Sequence, residues 1–155
     1  MNFLKNRYLY YEHLLSYSTR VKASELIDML MFTKNNVDAL HLKAVENVVF
    51  RIVEIIPDSG GDIYGIEVLI PTDKAFKSEG QCIYKPEFKI NNAVSFMFYD
   101  VNEICEAETQ LYGYARKNNM KLITDIYFIL LQSEKINRVN AVFEAYVGCL
   151  LYTSD

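Results

Sequence analysis

The chain has no tryptophan and only three prolines, three cysteines, six glycines and two histidines in 155 residues. Each scarcity excludes something. Cys82, Cys105 and Cys149 are odd in number and far apart, with no Cys-x-x-Cys and no Cys/His spacing. Zinc is therefore not expected, and thiols kept reduced in a cytosol are. His13 and His41 lack a neighbouring Ser/Asp or Cys pattern that would make a triad. The only glycine cluster, "SGGD" at 59–62, bridges two strand-like runs instead of opening a helix, so it reads as a turn and not a phosphate loop.

Long apolar runs are also missing, which excludes a membrane span. The N-terminal "MNFLKNRYLYYEHLL" is no signal peptide, because its apolar stretch is short, aromatic and broken by Glu12 and His13. Positive charge is scarce too: 16 Lys and Arg face 20 Asp and Glu, for a net charge of -4. A nucleic-acid partner needs clustered cations to displace counterions, and none is expected. Lys74, Lys77, Lys85 and Lys89 are interleaved with Asp73, Glu79 and Glu87 and read as a solvated linker. No catalytic residue, metal or cofactor is expected, and the chain reads as a cytoplasmic protein that is not an enzyme.

What the chain does have is a 51% hydrophobic composition with 12 tyrosines and 9 phenylalanines. That suffices for one domain, residues 1–155, with a sizeable core. "TKNNV" at 33–37 recurs as "RKNNM" at 116–120, each closing a helical stripe. The first stripe is Ala23, Leu26, Ile27, Leu30 and Met31, with Asn35 or Asn36 as a left-handed cap. The second is Val101, Ile104, Cys105, Leu111, Tyr112 and Ala115, with Asp100 or Asn102 as its N-cap. Strand-like runs surround the helices in one order: 7–17, helix, 46–56, 63–71; then 91–99, helix, 120–131, 138–151, the last pair joined by a turn at 132–137. The expected fold is α+β: two tandem β-α-β-β repeats forming an antiparallel sheet, with two helices packed on one face. Repeat one covers about 7–71, a linker about 72–82, and repeat two about 83–152.

Strand alternation then assigns faces. Tyr64, Ile66, Val68 and Ile70, with Phe143, Ala145, Val147 and Cys149, belong under the helices. So do Val94, Phe96 and Phe98, and Leu9, Tyr11, His13 and Leu15. The opposite face receives Tyr8, Tyr10, Glu12, Glu67, Met97, Tyr99, Glu144 and Tyr146, the candidate partner- or ligand-binding residues. Glu67 and Glu144 match, each followed four residues later by a chain breaker, Pro71 or Gly148.

Two such repeats, with "IEVLIP" and "FEAYVG" as their last strands and the passage "YGYARKNNMKLITDIYFIL", resemble the gyrase-inhibitory-protein-like, effector-binding fold. That resemblance implies a concave face where acidic and aromatic side chains hold small cationic aromatic molecules. More narrowly, residues 84–130 resemble a Firmicutes family associated with type VII secretion. The features are an aromatic strand entry at Tyr84 and Phe88, Asn92 then Ser95, and the Asn-Asn helix end. One branch of that family is an LXG toxin-targeting chaperone. This second resemblance implies a protein-binding chaperone or adaptor whose partner is a secreted toxin, its helical N-terminal domain, or a small helical secretion protein. It leaves open docking to a membrane secretion complex through those partners.

Overall fold

The computed structural model describes residues 2–131 and 141–151. The turn read at 132–137, the start of the last strand at 138–140 and the end of repeat two at 152 lie outside the described residues. The first strand, β1, runs Leu4–Lys22 and leads through a 3-10 turn into α1, Leu26–Asn35. Strands β2, Val48–Ile56, and β3, Ile63–Pro71, complete the first repeat. The second comprises β4, Ile83–Phe98; α2, Ile104–Lys117; β5, Met120–Leu122; β6, Tyr127–Leu131; and β7, Val142–Leu151. The strands pair antiparallel in the order β4-β1-β3-β2-β6-β7-β5, and β4 also pairs with β7, so the pairing closes on itself. No helix among the described residues is long and apolar enough to cross a membrane.

Equivalent positions in the two repeats follow from the registers. Ser16 lies opposite Leu69 and Ser18 opposite Glu67 across β1–β3. Ser95 lies opposite Tyr146 and Met97 opposite Glu144 across β4–β7. Ser16 thus corresponds to Ser95, and Glu67 to Glu144. Leu14 opposite Pro71 likewise matches Ala93 opposite Gly148.

Both helices lie on one face because their apolar stripes must be buried against the sheet. Leu26, Ile27 and Leu30 of α1 and Ile104, Ala107 and Leu111 of α2 share one cluster with the helix-side residues of the strands. At its centre four rings from four strands meet. Phe98 stacks on Phe143 at 5.3 Å, Phe50 on Phe128 at 5.3 Å, and edge contacts join the two pairs at 6.0–6.1 Å. Such contacts add to the area term and tie the repeats together.

Several sequence expectations are corrected. The strand expected at 120–131 is interrupted, with β5 and β6 separated by residues 123–126. On α2, Cys105 and Tyr112 are exposed and Ala107 takes their place on the buried side. The KNN segments do end both helices, but one position out of step. The C-caps are Asn36 and Asn118, with φ near -107° in each, so neither is left-handed. Each cap donates its side-chain amide to the carbonyl four residues back, Asn36 to Phe32 at 2.7 Å and Asn118 to Tyr114 at 2.9 Å. That bond satisfies an orphan carbonyl without needing positive φ. After the second helix a left-handed residue does follow, Asn119 with φ 56°, one step past the cap.

The rings fix a stability expectation. Phe143 is fully buried. Phe143→Ala should cost about 3–5 kcal/mol of unfolding free energy in urea denaturation. Tyr99→Ala, at a position 67% exposed, should change it by less than about 0.5 kcal/mol.

Candidate functional site

The face away from the helices carries a second, smaller apolar cluster drawn from six strands. Leu9, Leu14, Leu69, Val49, Ile129 and Tyr146 are among its buried members, with Tyr11, Phe88 and Tyr127 packed against them. Two carboxylates lie on this face. One row of paired residues runs Ser16–Leu69–Val49–Ile129–Glu144–Met97, and its counterpart contains Ser18–Glu67–Arg51 and Tyr127–Tyr146–Ser95. The two rows are related by exchange of the repeats.

Glu67 and Glu144 are each only 7% exposed. A buried carboxylate must be paired. Ser16 Oγ donates to Glu67 at 2.7 Å, Arg51 Nε at 2.8 Å and Lys85 Nζ at 2.8 Å. Arg51 also reaches Asp125 at 3.4 Å. Arg7 donates to Glu144 at 3.4 Å and to the Tyr146 hydroxyl at 2.6 Å, and Ser95 Oγ approaches Glu144 at 3.4 Å.

The cations are themselves related by the repeat. Arg7 stands opposite Ala93 and Lys85 opposite Leu14, and those two partners are equivalent positions. Each repeat therefore sends a cation from the early part of its first strand to the glutamate of the other.

The electrostatics follow. Burial works against the Glu67 charge, but the hydrogen bonds from Lys85, Ser16 and Arg51 outweigh it and bring that carboxyl down to about 2. The hydrogen bond to Tyr146 raises Arg7, which burial opposes, so this guanidinium stays charged. Burial raises the Tyr146 and Tyr127 phenols and pushes Tyr11 up to about 12. All three remain neutral donors and acceptors near neutral pH.

Of the eight residues named from alternation, Glu67, Met97, Glu144 and Tyr146 share this face. Tyr146 is core there, at 3% exposure, not a wet aromatic. Tyr8, Tyr10 and Glu12 are corrected. They project to the other side of β1, where Tyr8 stacks on Tyr10 and the Tyr10 hydroxyl donates to Glu12 at 3.0 Å. Leu9 and Tyr11, expected under the helices, join the helix-free cluster, while Leu15 does lie on the helix side. The cause is His13, whose φ of 57° breaks the alternation and lets Leu9, Tyr11 and Leu14 share one face. His13 itself is packed, with Nδ1 2.6 Å from the Tyr84 hydroxyl. Tyr99 lies just past the end of β4, exposed.

Alternation missed Arg7, Arg51, Ser16 and Lys85, and although it puts Ser95 on this face it does not mark it as a partner of Glu144. Lys85, read as part of a solvated linker, lies within β4 and reaches Glu67. The Ser–Glu pairing of each repeat was the available signal, once the registers align Ser16 with Ser95.

Two clefts are also present, the first bordering the Glu67 pair at Arg51. One, about 470 Å³, runs beside α2 past Arg51, Cys105, Glu108 and Asp125. The other, about 410 Å³ and mostly apolar, lies between α1 and β1 against Tyr17, Phe32 and Leu40. Neither contains any of the eight residues. Among the described residues, no group of three or more His, Cys, Asp or Glu could hold a metal ion.

No protein-family model matches the chain, and no curated protein matches it either. Solved structures do. The crystal structure of the EcmrR C-terminal domain is 13% identical, with 98% of this chain and 100% of that one covered at a TM-score of 0.66. The chain shares that domain's fold, an antiparallel sheet with two helices, consistent with the gyrase-inhibitory-protein-like fold that its sequence resembles. EcmrR in a DNA complex aligns over 97% of this chain at 11% identity and a TM-score of 0.65. This chain spans 58% of that chain's length. SAV2435 bound to tetraphenylphosphonium is 8% identical, over 96% of this chain and 93% of that one, and its TM-score of 0.45 is too low to argue from.

These likenesses correct the partner reading. The chain shares its fold with part of a protein solved on DNA, so the expectation of a toxin partner and of no nucleic acid does not stand. Neither the type VII secretion resemblance nor docking to a secretion complex finds support.

Glu67 gives a pH expectation. Its folded value, about 2, lies below the ordinary 4.5. The stability it contributes is complete above 4.5 and is lost as pH falls toward 2. Urea midpoints measured across this window should fall more steeply for the native chain than for Glu67→Gln.

Proposed function

We propose that the chain is a non-catalytic module that binds a small organic molecule on the helix-free face, with Glu144 setting its orientation. The fold supports this reading, because it is consistent with the effector-binding fold that the sequence resembles. One observation carries it further: two carboxylates, 7% exposed, are held in register within an apolar, tyrosine-bearing surface. A buried ion pair gives little net stability compared with apolar packing. Two of them at equivalent places on one face are better explained by recognition than by folding. Tyr146, Tyr127, Tyr11 and Phe88 offer flat apolar area, and Glu144, the less tightly paired carboxylate, favours a ligand with positive charge. Ser16 does donate to Glu67, but Lys85 and Arg51 hold that carboxyl down at about 2, too weak a base to activate the hydroxyl, which supports binding without chemistry.

The test is equilibrium binding of aromatic dyes of different charge to the purified chain. Cationic dyes should bind more tightly than anionic dyes of similar size, and Glu144→Gln should abolish that preference. Equal binding of both charge classes, unchanged in Glu144→Gln, would sink the reading.

A further inference from the structure

The two glutamates are not equally occupied. Glu67 has three donors at 2.7–2.8 Å, two of them cations. Distances of that order mark strong charge-assisted hydrogen bonds. Glu144 has Arg7 and Ser95, each at 3.4 Å, a much weaker hold. Arg7 makes its short bond to the Tyr146 hydroxyl, 2.6 Å, and its guanidinium carbon lies 5.5 Å from the Tyr146 ring centroid. Its Nε is buried with no hydrogen-bond partner among the described residues. A buried, unpaired N–H is costly, and solvent would satisfy it.

The backbone carrying Arg7 is irregular as well. Asn6 is left-handed, with φ 56°, and the β1–β4 register shifts on both sides of Arg7. The Arg7 side chain is 38% exposed, against 29% for Arg51. So a planar cation already sits against a carboxylate and a tyrosine ring, loosely held and with a short path to water.

Resting on the effector-binding reading, we propose that Arg7 is a tethered competitor: its guanidinium fills the seat formed by Glu144 and Tyr146, and a ligand cation enters by displacing it. The Glu67 seat does not exchange, because Arg51 and Lys85 close it from two sides. When Arg7 leaves, it gives up one long ion pair and one hydrogen bond, and its Nε gains water. The incoming cation takes over the pairing with Glu144 and the contact with the Tyr146 ring. Both cations cannot stay, because each would be held against the other beside one carboxylate.

The experiment titrates ethidium, a planar aromatic cation, against the full chain by fluorescence anisotropy. Arg7→Ala and Arg7→Met are compared with the native chain, with folding checked by circular dichroism; the methionine keeps an apolar stem if alanine unfolds the protein. Both variants should bind about tenfold more tightly, as expected for a seat the tether fills roughly nine-tenths of the time. The gain should vanish in Arg7→Ala/Glu144→Gln and should not appear in Lys85→Ala. In the native chain, the Arg7 Nε–H resonance should shift when ethidium binds, a readout that needs no substitution.

Arg7 variants that bind no more tightly than a native chain that does bind would overturn the proposal. So would an equal gain in Lys85→Ala, or an Arg7 resonance that stays still as ethidium binds. Binding of neutral Nile red with no ethidium response in any variant removes the tether but leaves a ligand-binding face. Binding of neither dye removes both.

Discussion

The rest of the structure depends on the neutralisation of two carboxylates buried in one sheet. Glu67 and Glu144 come from the last strands of the two repeats, and each takes a cation from the first strand of the other. This is possible only because β1 and β4 are long and run antiparallel beside one another, with Leu14 and Ala93 as equivalent partners of Lys85 and Arg7. Glu67 also has Arg51 of its own repeat, whereas among the described residues Glu144 takes its cation from the other repeat alone. The ion pairs therefore bridge the two repeats while adding little net stability.

Stability comes from the other face. The four rings of Phe50, Phe98, Phe128 and Phe143, with the buried stripes of both helices, form the larger cluster. Because that face is well packed, the helix-free face can hold polar groups at some cost. The cost is unequally shared. Glu67 is tightly held at the junction of β1, β3 and β2, whereas Glu144 shares a single arginine with Tyr146. An approximate two-fold arrangement thus yields one tightly held charge site and one loosely held one.

Much of the fold was legible in the chain. Helical stripes, the KNN segments and alternation in "IYGIEVLIP" and "VFEAYVGCLL" placed β3, β7, both helices and the repeat. These are regular elements, in which a side chain's direction follows from its position. Glu67 and Glu144 were found for the same reason. Tyr8, Tyr10 and Glu12 were placed on the wrong face because alternation counts residues, and a left-handed backbone at His13 changes the count. His13 carries no sequence mark of that conformation, since glycine is the residue that usually announces it.

The sequence by itself determined the α+β class, the two repeats, the helix-side core and two matched glutamates. Those depend on local periodicity, which survives in a linear string. The tertiary structure alone decided that the glutamates are buried, that Arg7 and Lys85 cross between repeats, and that Tyr146 is packed beneath a guanidinium. These contacts join residues as many as 139 positions apart. Their partners are chosen by strand order and register, which the closed pairing of six strands sets and no short stretch of the chain encodes.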